Sequence, residues 1–289
     1  MPTYRQVLRQ ARQKAEAAGI GSESVQILML EKTQMDNTNL YLHYDEAMPE
    51  AAIAAYARDV DRLLSKEPLA YVLGYQWFYG YKLAVSRDVL IPRYETEELV
   101  ANVLADIDQL FPDRRRLTAA DVATGSGNIA IALAKEEPKL RLYATDISAK
   151  ALKLAAANAA SLGCHITLLH GSMLAPLIAK GVRLDVLVCN PPYIPVHQDI
   201  DPSVKDHEPH LALFGGQDGL RFYRMVFRDA PQVIKRRCLL AFEIGYDEKD
   251  ALLQAAHEHF PADRIEVLKD INGKDRMLFI YHGFGSAAG

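Results

Sequence analysis

The sequence has few cysteines and no long apolar run. Its 289 residues include only 3 cysteines, Cys164, Cys189 and Cys238, and no two of them form a Cys-x-x-Cys pair. Dispersed cysteines exclude a disulfide framework and argue against a thiolate metal site, so we expect no bound metal. A membrane-spanning helix needs about 18 consecutive apolar residues. Because no such run occurs, we expect no contact with a membrane.

The sequence also lacks an excess of positive charge. It has 33 Lys and Arg residues against 37 Asp and Glu residues, a formal net charge of -4. Proteins that bind nucleic acid through its phosphates need a basic field, so direct binding of nucleic acid is not expected. The N-terminal residues carry Arg and Lys at helical spacing in place of the apolar core of a signal peptide. We therefore expect a cytoplasmic protein, and we take it to be a monomer.

The first part of the chain has the pattern of a small helical bundle. Hydrophobic residues make up 49% of the sequence and charged residues 24%, the mixture of an ordinary globular protein. Apolar residues recur at helical spacing over residues 7–18, after Ser22, and over residues 51–65 behind Pro49. Residues 1–70 are therefore predicted to form a helical domain that serves recognition or positioning.

The pattern then changes twice along the chain. Aromatic residues crowd around Gly74 and Gly80, which predicts a β-hairpin linker at residues 71–92. Over residues 93–283 strand and helix patterns alternate, which predicts an α/β domain with a parallel sheet covered by helices on both faces. Strands are expected at 119–123, 140–145, 166–170, 184–189, 239–244, 265–269 and 277–282, and helices at 95–110, 128–135, 149–162, 220–230 and 248–260. Residues 284–289 are expected to be a flexible tail.

A glycine-containing turn at residues 121–128, Asp-Val-Ala-Thr-Gly-Ser-Gly-Asn, is the first sign of chemistry. Gly125 and Gly127 permit a tight turn that a ligand can approach closely, at a helix N-terminus with free N–H groups. Asp146, about 20 residues further on, ends the next strand, where a carboxylate can accept both hydroxyls of a ribose. The turn lacks the third glycine of the dinucleotide motif and has no following Gly-Lys-Ser/Thr. A nucleoside without a pyrophosphate, such as S-adenosylmethionine, therefore fits better than NAD or ATP.

The second sign is Asn190-Pro-Pro-Tyr193, which follows directly on an apolar strand. A side chain at the carboxyl end of a central strand faces the crevice in which α/β proteins bind ligands. Pro191 and Pro192 contribute carbonyl oxygens without N–H groups. The Asn190 oxygen, the Pro191 carbonyl and the Tyr193 ring together suit a planar NH2 group of an amide or amine. The alternative is a proline turn that merely ends the strand.

Three further segments make the resemblance to a known family specific. They are Glu67-Pro-Leu-Ala-Tyr-Val-Leu-Gly74, Leu90-Ile-Pro-Arg-Tyr-Glu-Thr-Glu-Glu-Leu-Val100 and Glu208-Pro-His-Leu-Ala-Leu-Phe-Gly-Gly216. With the two motifs above, the chain from Glu67 to Ile280 resembles the release-factor glutamine N5-methyltransferases, which are class I S-adenosylmethionine-dependent enzymes. The resemblance implies a Rossmann-like, mostly parallel seven-stranded sheet and an N-terminal helical substrate-recognition domain joined by the hairpin. It also implies methylation of the side-chain amide nitrogen of glutamine in the Gly-Gly-Gln motif of peptide chain release factors.

The resemblance assigns roles to particular residues. It implies that the cofactor S-adenosylmethionine contacts Ala123, Thr124, Gly125, Ser126, Gly127, Asp146, Met173 and Asn190. The substrate glutamine would be held by Asn190, Pro191, Pro192 and Tyr193, of which Asn190, Pro191 and Tyr193 would be catalytic. Two positions depart from the family pattern: Ala123 stands where glycine is usual and Ser172 where an acid is common. We expect these departures to affect cofactor affinity more than function.

The residues also suggest a mechanism, and two other functions stay open. No His or Cys dyad accompanies the motifs, so we expect Asn190 and Pro191 to orient the amide nitrogen and offset its developing charge. Arg93, Thr96 and Glu97 are expected either to brace the site or to serve only helix capping and surface pairing. The first alternative function is a nucleic-acid adenine-N6 methyltransferase, which shares Asn-Pro-Pro-Tyr but needs a base-flipping pocket. The second is a non-catalytic S-adenosylmethionine-binding module.

Overall fold

The computed structural model describes residues 1–285, and the chain separates into two compact units. The first unit contains Met1–Tyr75 together with Asp201–His207, and the second contains Gln76–Ile200 and the chain from Glu208 onward. Of the tail predicted at 284–289, residues 286–289 lie outside the described residues. The Phe284 ring packs edge-on against Phe111, with ring centroids 5.4 Å apart.

The first unit is helical, as predicted. Its elements are α1 (Tyr4–Ala17), α2 (Ser22–Thr33), α3 (Asn37–Leu42), α4 (Glu50–Leu64), α5 (Leu69–Leu73) and, from far along the chain, α10 (Pro202–His207). The three long helices are those that the sequence predicted, whereas the short α3, α5 and α10 were missed because they are too brief to show an apolar period. The core shared by the three long helices includes Leu8, Val25, Leu28, Met29 and Tyr56. The buried Tyr56 hydroxyl donates to the Val25 carbonyl at 2.8 Å, which satisfies its polar end.

The predicted β-hairpin is present, but it is shorter than the predicted linker. Strand β1 (Tyr75–Phe78) and strand β2 (Tyr81–Ala84) form a two-stranded sheet. Tyr79 and Gly80 form the turn with φ of +51° and +78°. Tyr71, which was expected in the hairpin, lies instead in α5.

The predicted α/β sheet is confirmed in the second unit. Within residues 1–285 it has seven strands in the order β5-β4-β3-β6-β7-β9-β8. The strands are β3 (Leu117–Val122), β4 (Leu140–Asp146), β5 (Ile166–His170), β6 (Leu184–Cys189), β7 (Ile234–Glu243), β8 (Arg264–Lys269) and β9 (Asp275–His282). β3 to β7 are parallel, and β9 is antiparallel to both β7 and β8. Strand order reverses between β3 and β6, so a crevice opens at the carboxyl ends of these two strands.

Helices cover both faces of this sheet. They are α6 (Tyr94–Leu110), α7 (Asn128–Glu136), α8 (Ala149–Ser161), α9 (Ala175–Ala179), α11 (Arg221–Asp229) and α12 (Lys249–His259). One apolar core lies on each face, and every residue of β6 is buried. This explains why every residue of β6 except Asp185 is apolar. Among residues 1–285, none of the helices has the length and apolar character needed to cross a bilayer.

Asn158 of α8 connects the hairpin to the glycine-containing turn. Its Oδ1 accepts from the Ala84 N–H at 2.8 Å, and its Nδ2 donates to the carbonyls of Ala84 at 3.0 Å and Ser126 at 2.9 Å. The bond to the Ser126 carbonyl is buried, whereas the two bonds to Ala84 are partly buried. Asn158 therefore satisfies three backbone groups of two separate segments at once.

We predict that Asn158→Ala lowers the free energy of unfolding by about 1–3 kcal/mol, because the variant leaves the buried Ser126 carbonyl without this partner and removes two partly buried bonds to Ala84. Urea denaturation monitored by circular dichroism measures this change. Lys153→Ala, an exposed position on the same helix, is the matched control and should change stability by less than about 0.5 kcal/mol. Equal effects of the two substitutions would contradict a structural role for the Asn158 hydrogen bonds.

Candidate active site

A cavity of about 330 Å³ lies at the carboxyl ends of β3, β4 and β6. These are the strands on either side of the point where strand order reverses, the usual ligand position in such sheets. The predicted cofactor residues on its wall are Ala123, Thr124, Gly125, Ser126, Asp146, Met173 and Asn190. Gly127 lies just outside the wall. The structure therefore brings together residues that are up to 67 positions apart in the chain.

The glycine-containing turn presents its backbone to this cavity. A Cβ added at Gly125, where φ is +55°, would meet no atom of residues 1–285 within 4 Å, so a ligand can approach the backbone there. At Gly127 the reason for glycine is different. A Cβ at that position would lie 3.2 Å from the Ala155 Cβ, so glycine permits the close packing of α7 against α8.

Asp121 supports the turn from behind rather than lining the cavity. It is completely buried, and its Oδ2 accepts from the Thr124 hydroxyl at 2.5 Å and from the Ala130 N–H at 3.1 Å. Its Oδ1 has no hydrogen-bond partner among the described residues. Burial raises the pKa of this carboxyl to about 7, against the effect of the two hydrogen bonds. Asp121 thus joins the turn to the first turn of α7.

Asp146 lies on the cavity wall at the end of β4, as predicted. Its Oδ2 accepts from the Gly125 N–H at 2.9 Å and its Oδ1 from the Ser148 N–H at 2.8 Å. Burial raises the pKa of Asp146, and these backbone hydrogen bonds oppose that shift. Each carboxylate oxygen has two lone pairs, so both can still accept a hydroxyl from a ligand. The two backbone bonds fix the position of the carboxylate on the cavity wall.

Met173 lies in the loop after β5, the strand next to β4 in the sheet. Its carbonyl accepts from the Thr145 hydroxyl at 2.9 Å, and its backbone has a φ of +45°. Gly171 donates from its N–H to the Asp146 carbonyl at 2.9 Å. These bonds attach the loop after β5 to the end of β4. Ser172, at the position where an acid is common in the family, also lines the cavity.

Asn190 lies on the cavity wall immediately after β6. Its Nδ2 donates to the Thr96 hydroxyl oxygen at 3.2 Å. Pro192 also lines the cavity, whereas Pro191 and Tyr193 lie beside its wall. The Tyr193 hydroxyl donates to Glu243 at 3.3 Å, and burial together with that carboxylate raises the pKa of Tyr193 well above its usual value. The predicted substrate loop, Asn190–Tyr193, is therefore held at both ends, by Thr96 and by Glu243.

Two of the segments that carry the family resemblance meet at this site. Arg93 lines the cavity, and its guanidinium forms an ion pair with the buried Glu208. The second oxygen of Glu208 accepts from the Ile91 N–H at 3.1 Å. One side of the cavity is apolar and was not predicted from the sequence; its residues are Ile147, Leu211, Phe222 and Met225. Single apolar residues in loops and on an amphipathic helix give no signal that separates them from ordinary core residues.

The chain is similar to known proteins along most of its length. The PrmC N-terminal domain model matches residues 6–74, and the methyltransferase small domain model matches residues 102–206. The release factor glutamine methyltransferase of Bacillus cereus is 40% identical over 256 residues, covering 88% of this chain and 90% of the relative. The chain belongs to the release factor glutamine methyltransferase family. The enzyme of the same name from Bacillus subtilis is 38% identical over 280 residues, covering 96% of this chain and 97% of the relative.

Solved structures agree with the class I methyltransferase fold. The hMettl16 catalytic domain in complex with MAT2A 3'UTR hairpin 1 is 15% identical, with a TM-score of 0.57 over 88% of each chain. A methyltransferase from Pyrococcus furiosus is 16% identical, with a TM-score of 0.51 over 78% of this chain and 98% of that one. At such identities the likeness concerns the fold alone. The family resemblance and the Rossmann-like fold predicted from the sequence are both confirmed.

Ala123, the first departure from the family pattern, has a backbone conformation that explains why glycine is usual there. Its φ is +62°, in the left-handed region where an L-residue with a Cβ is strained. Glycine adopts this region without that cost. The methyl group of Ala123 therefore strains the backbone of the turn at a position on the cavity wall.

We predict that Ala123→Gly raises the free energy of unfolding by about 1 kcal/mol, because the strain of the left-handed conformation is removed. Chemical denaturation of the two proteins measures the difference. Ala101→Gly, at an exposed position inside α6, should have the opposite sign and lower stability by about 1 kcal/mol. A loss of stability in Ala123→Gly would show that packing of the methyl group outweighs the backbone strain.

Proposed function

We propose that this protein transfers a methyl group from S-adenosylmethionine to the side-chain amide nitrogen of the glutamine in the Gly-Gly-Gln motif of peptide chain release factors. The observation that carries the proposal is the position of Asn190. Its Nδ2 is engaged by Thr96, so its Oδ1 is left as an acceptor on the wall of the cavity that also contains Asp146. The relatives named release factor glutamine methyltransferase support the choice of acceptor protein.

The cavity residues fit S-adenosylmethionine. Gly125 leaves open space above the turn, and Asp146 offers two fixed carboxylate oxygens for ribose hydroxyls. Met173 and the apolar residues Phe222 and Met225 suit the faces of an adenine ring. When bound, this cofactor supplies an electrophilic methyl group on a sulfonium. The predicted contacts of Ala123, Thr124, Ser126 and Gly127 remain part of the proposal.

The substrate loop would orient the acceptor rather than deprotonate it. An amide nitrogen is a weak nucleophile, and its two N–H groups need acceptors in defined directions. The Asn190 Oδ1 and the Pro191 carbonyl would accept these two bonds, fix the nitrogen and offset the positive charge that develops on it. The bond from nitrogen to the methyl carbon would form as the bond from sulfur to that carbon breaks, and the methylated nitrogen would then release one of its two protons to water. Pro192 has no N–H to compete for these acceptors. Tyr193 would contribute the partial negative charge of its ring face.

Family membership favours this acceptor over the two alternatives. An adenine-N6 methyltransferase would need basic surface for its nucleic acid, whereas this chain has a net charge of -4. A non-catalytic binding module would not need an acceptor aimed into the cavity from Asn190. We also propose that the protein acts in the cytoplasm as a monomer, without direct contact with nucleic acid.

Transfer of labelled methyl groups tests the proposed acceptor. We predict that the protein incubated with methyl-labelled S-adenosylmethionine labels a release factor but neither DNA nor rRNA. A release factor whose Gly-Gly-Gln glutamine is replaced by glutamate has no side-chain NH2 group and should stay unlabelled. Labelling of the nucleic acids, or persistent labelling of the glutamate form, would overturn the assignment.

We predict that Asn190→Ala lowers the rate of methyl transfer by a factor on the order of 100 or more, the scale for loss of one preorganised polar group. Single-turnover transfer at saturating cofactor and release factor measures the rate, with circular dichroism as the fold control. Asn272→Ala, at an exposed turn position, should keep the normal rate. A near-normal rate in a folded Asn190→Ala protein would make the Asn-Pro-Pro-Tyr loop structural.

A further inference from the structure

Glu243 is a buried carboxylate at the end of an otherwise apolar strand segment. It is the last residue of β7, and only 2% of its surface is exposed. Its Oε2 accepts from the Thr96 hydroxyl at 2.5 Å and its Oε1 accepts from the Tyr193 hydroxyl at 3.3 Å. One carboxylate oxygen thus contacts Tyr193 of the substrate loop, and the other contacts Thr96, which is bonded to Asn190 of the same loop.

The single hydroxyl proton of Thr96 determines which groups donate and which accept along the hydrogen bonds from Glu243 through Thr96 to Asn190. A hydroxyl has one proton to donate, and Thr96 donates it to Glu243. The Thr96 oxygen can therefore only accept from Asn190, which must present its NH2 group to Thr96. The Asn190 oxygen then points away from Thr96. This orientation follows from the order of donors and acceptors, independently of which Asn190 atom is labelled oxygen.

This direction requires that Glu243 act as an acceptor. Burial raises the pKa of Glu243, while the Thr96 hydrogen bond and the charge of Arg276 oppose that shift. Arg276 is itself held by the buried Asp270 and donates to the Ile244 carbonyl at 3.3 Å. A buried carboxylate is costly compared with an apolar residue of the same size. Its two hydroxyl partners indicate a positioning role that offsets this cost.

We propose that Glu243 and Thr96 are positioning residues that make the site selective for an amide over a carboxylate, by holding Asn190 with its oxygen towards the acceptor. The inference rests on the proposed function, since it concerns the acceptor glutamine. With Asn190 in this orientation, a glutamine NH2 group finds an acceptor. A glutamate side chain meets the Asn190 oxygen without a proton to share. If Asn190 turned over, its NH2 group would instead suit a carboxylate.

Replacing the Thr96 hydroxyl tests this directly. Thr96→Val has nearly the same shape but neither accepts from Asn190 nor donates to Glu243, whereas Thr96→Ser keeps both bonds. The measured quantity is the ratio of two dissociation constants, for release factor carrying Gly-Gly-Gln and for the same factor carrying Gly-Gly-Glu. Calorimetry in the presence of S-adenosylhomocysteine gives both constants without turnover.

We predict that the preference for the glutamine form falls roughly tenfold in Thr96→Val, which corresponds to about 1.4 kcal/mol of lost discrimination. Thr96→Ser should keep the preference of the unmodified protein. A merely structural role would lower the melting temperature or weaken both acceptors equally, and it would leave the ratio unchanged. An unchanged ratio in a folded Thr96→Val protein overturns the proposal.

A double-mutant cycle shows whether Glu243 acts through Thr96. Glu243→Met has no oxygen to accept from Thr96, so it should reduce the preference when Thr96 is present and should have little further effect on the ratio in Thr96→Val, because coupled residues are not additive. Independent, additive effects would overturn the coupling. If Thr96→Val does not fold, Glu243→Met makes the same comparison, and an unchanged ratio there overturns the proposal.

The outcomes separate this inference from the proposed function. If the unmodified protein labels no release factor, the proposed function fails and the inference fails with it. The other outcome is that the unmodified protein labels the glutamine form while Thr96→Val keeps the full preference for the glutamine form over the glutamate form. In that case the proposed function stands, and only the positioning role of Thr96 and Glu243 is overturned.

Discussion

The constraint on which the site depends is the reversal of strand order between β3 and β6. The helices that follow these two strands cover opposite faces of the sheet, so the carboxyl ends of β3 and β6 leave a crevice between them. The predicted cofactor residues of the cavity come from loops that leave the sheet at this edge. The turn after β3 supplies backbone, Asp146 ends β4, and Asn190 follows β6. Parallel pairing is what brings these three loops together.

Buried acids hold those loops in place. Asp121 joins the turn to α7, Glu208 holds Ile91 and Arg93, and Glu243 holds Thr96 and Tyr193. Each carboxylate accepts hydrogen bonds from two partners, which makes it a fixed point between elements that would otherwise be joined by apolar packing alone. Ionised groups are expensive to bury, so this arrangement gives up stability in return for defined directions of the side chains at the cavity. The raised pKa of Asp121 reflects that cost.

The elements that could be predicted from the sequence are those with a strong local pattern. The bounds of β5 and β6 match the prediction because both are compact runs with many apolar residues. β7 begins at Ile234 rather than at residue 239, because Lys235 and its two arginine neighbours conceal the start of the strand. Lys235 is tolerated there since its Nζ lies 2.6 Å from the buried Asp185 of the neighbouring β6. That pairing is tertiary and has no local sign.

The sequence by itself determined the fold class, the family and the residues of the cavity wall that follow the strand ends, but not its apolar side. Asp146 and Asn190 could be found because a polar residue at a strand end is a local feature, and parallel strands place such ends on one edge. Only the tertiary structure decided what holds these side chains. Thr96 is 94 positions from Asn190, and Glu243 is 147 positions from Thr96. Hydrogen bonds between such distant positions depend on how α6 packs on β7, to within fractions of an ångström, and no pattern along the chain encodes that distance.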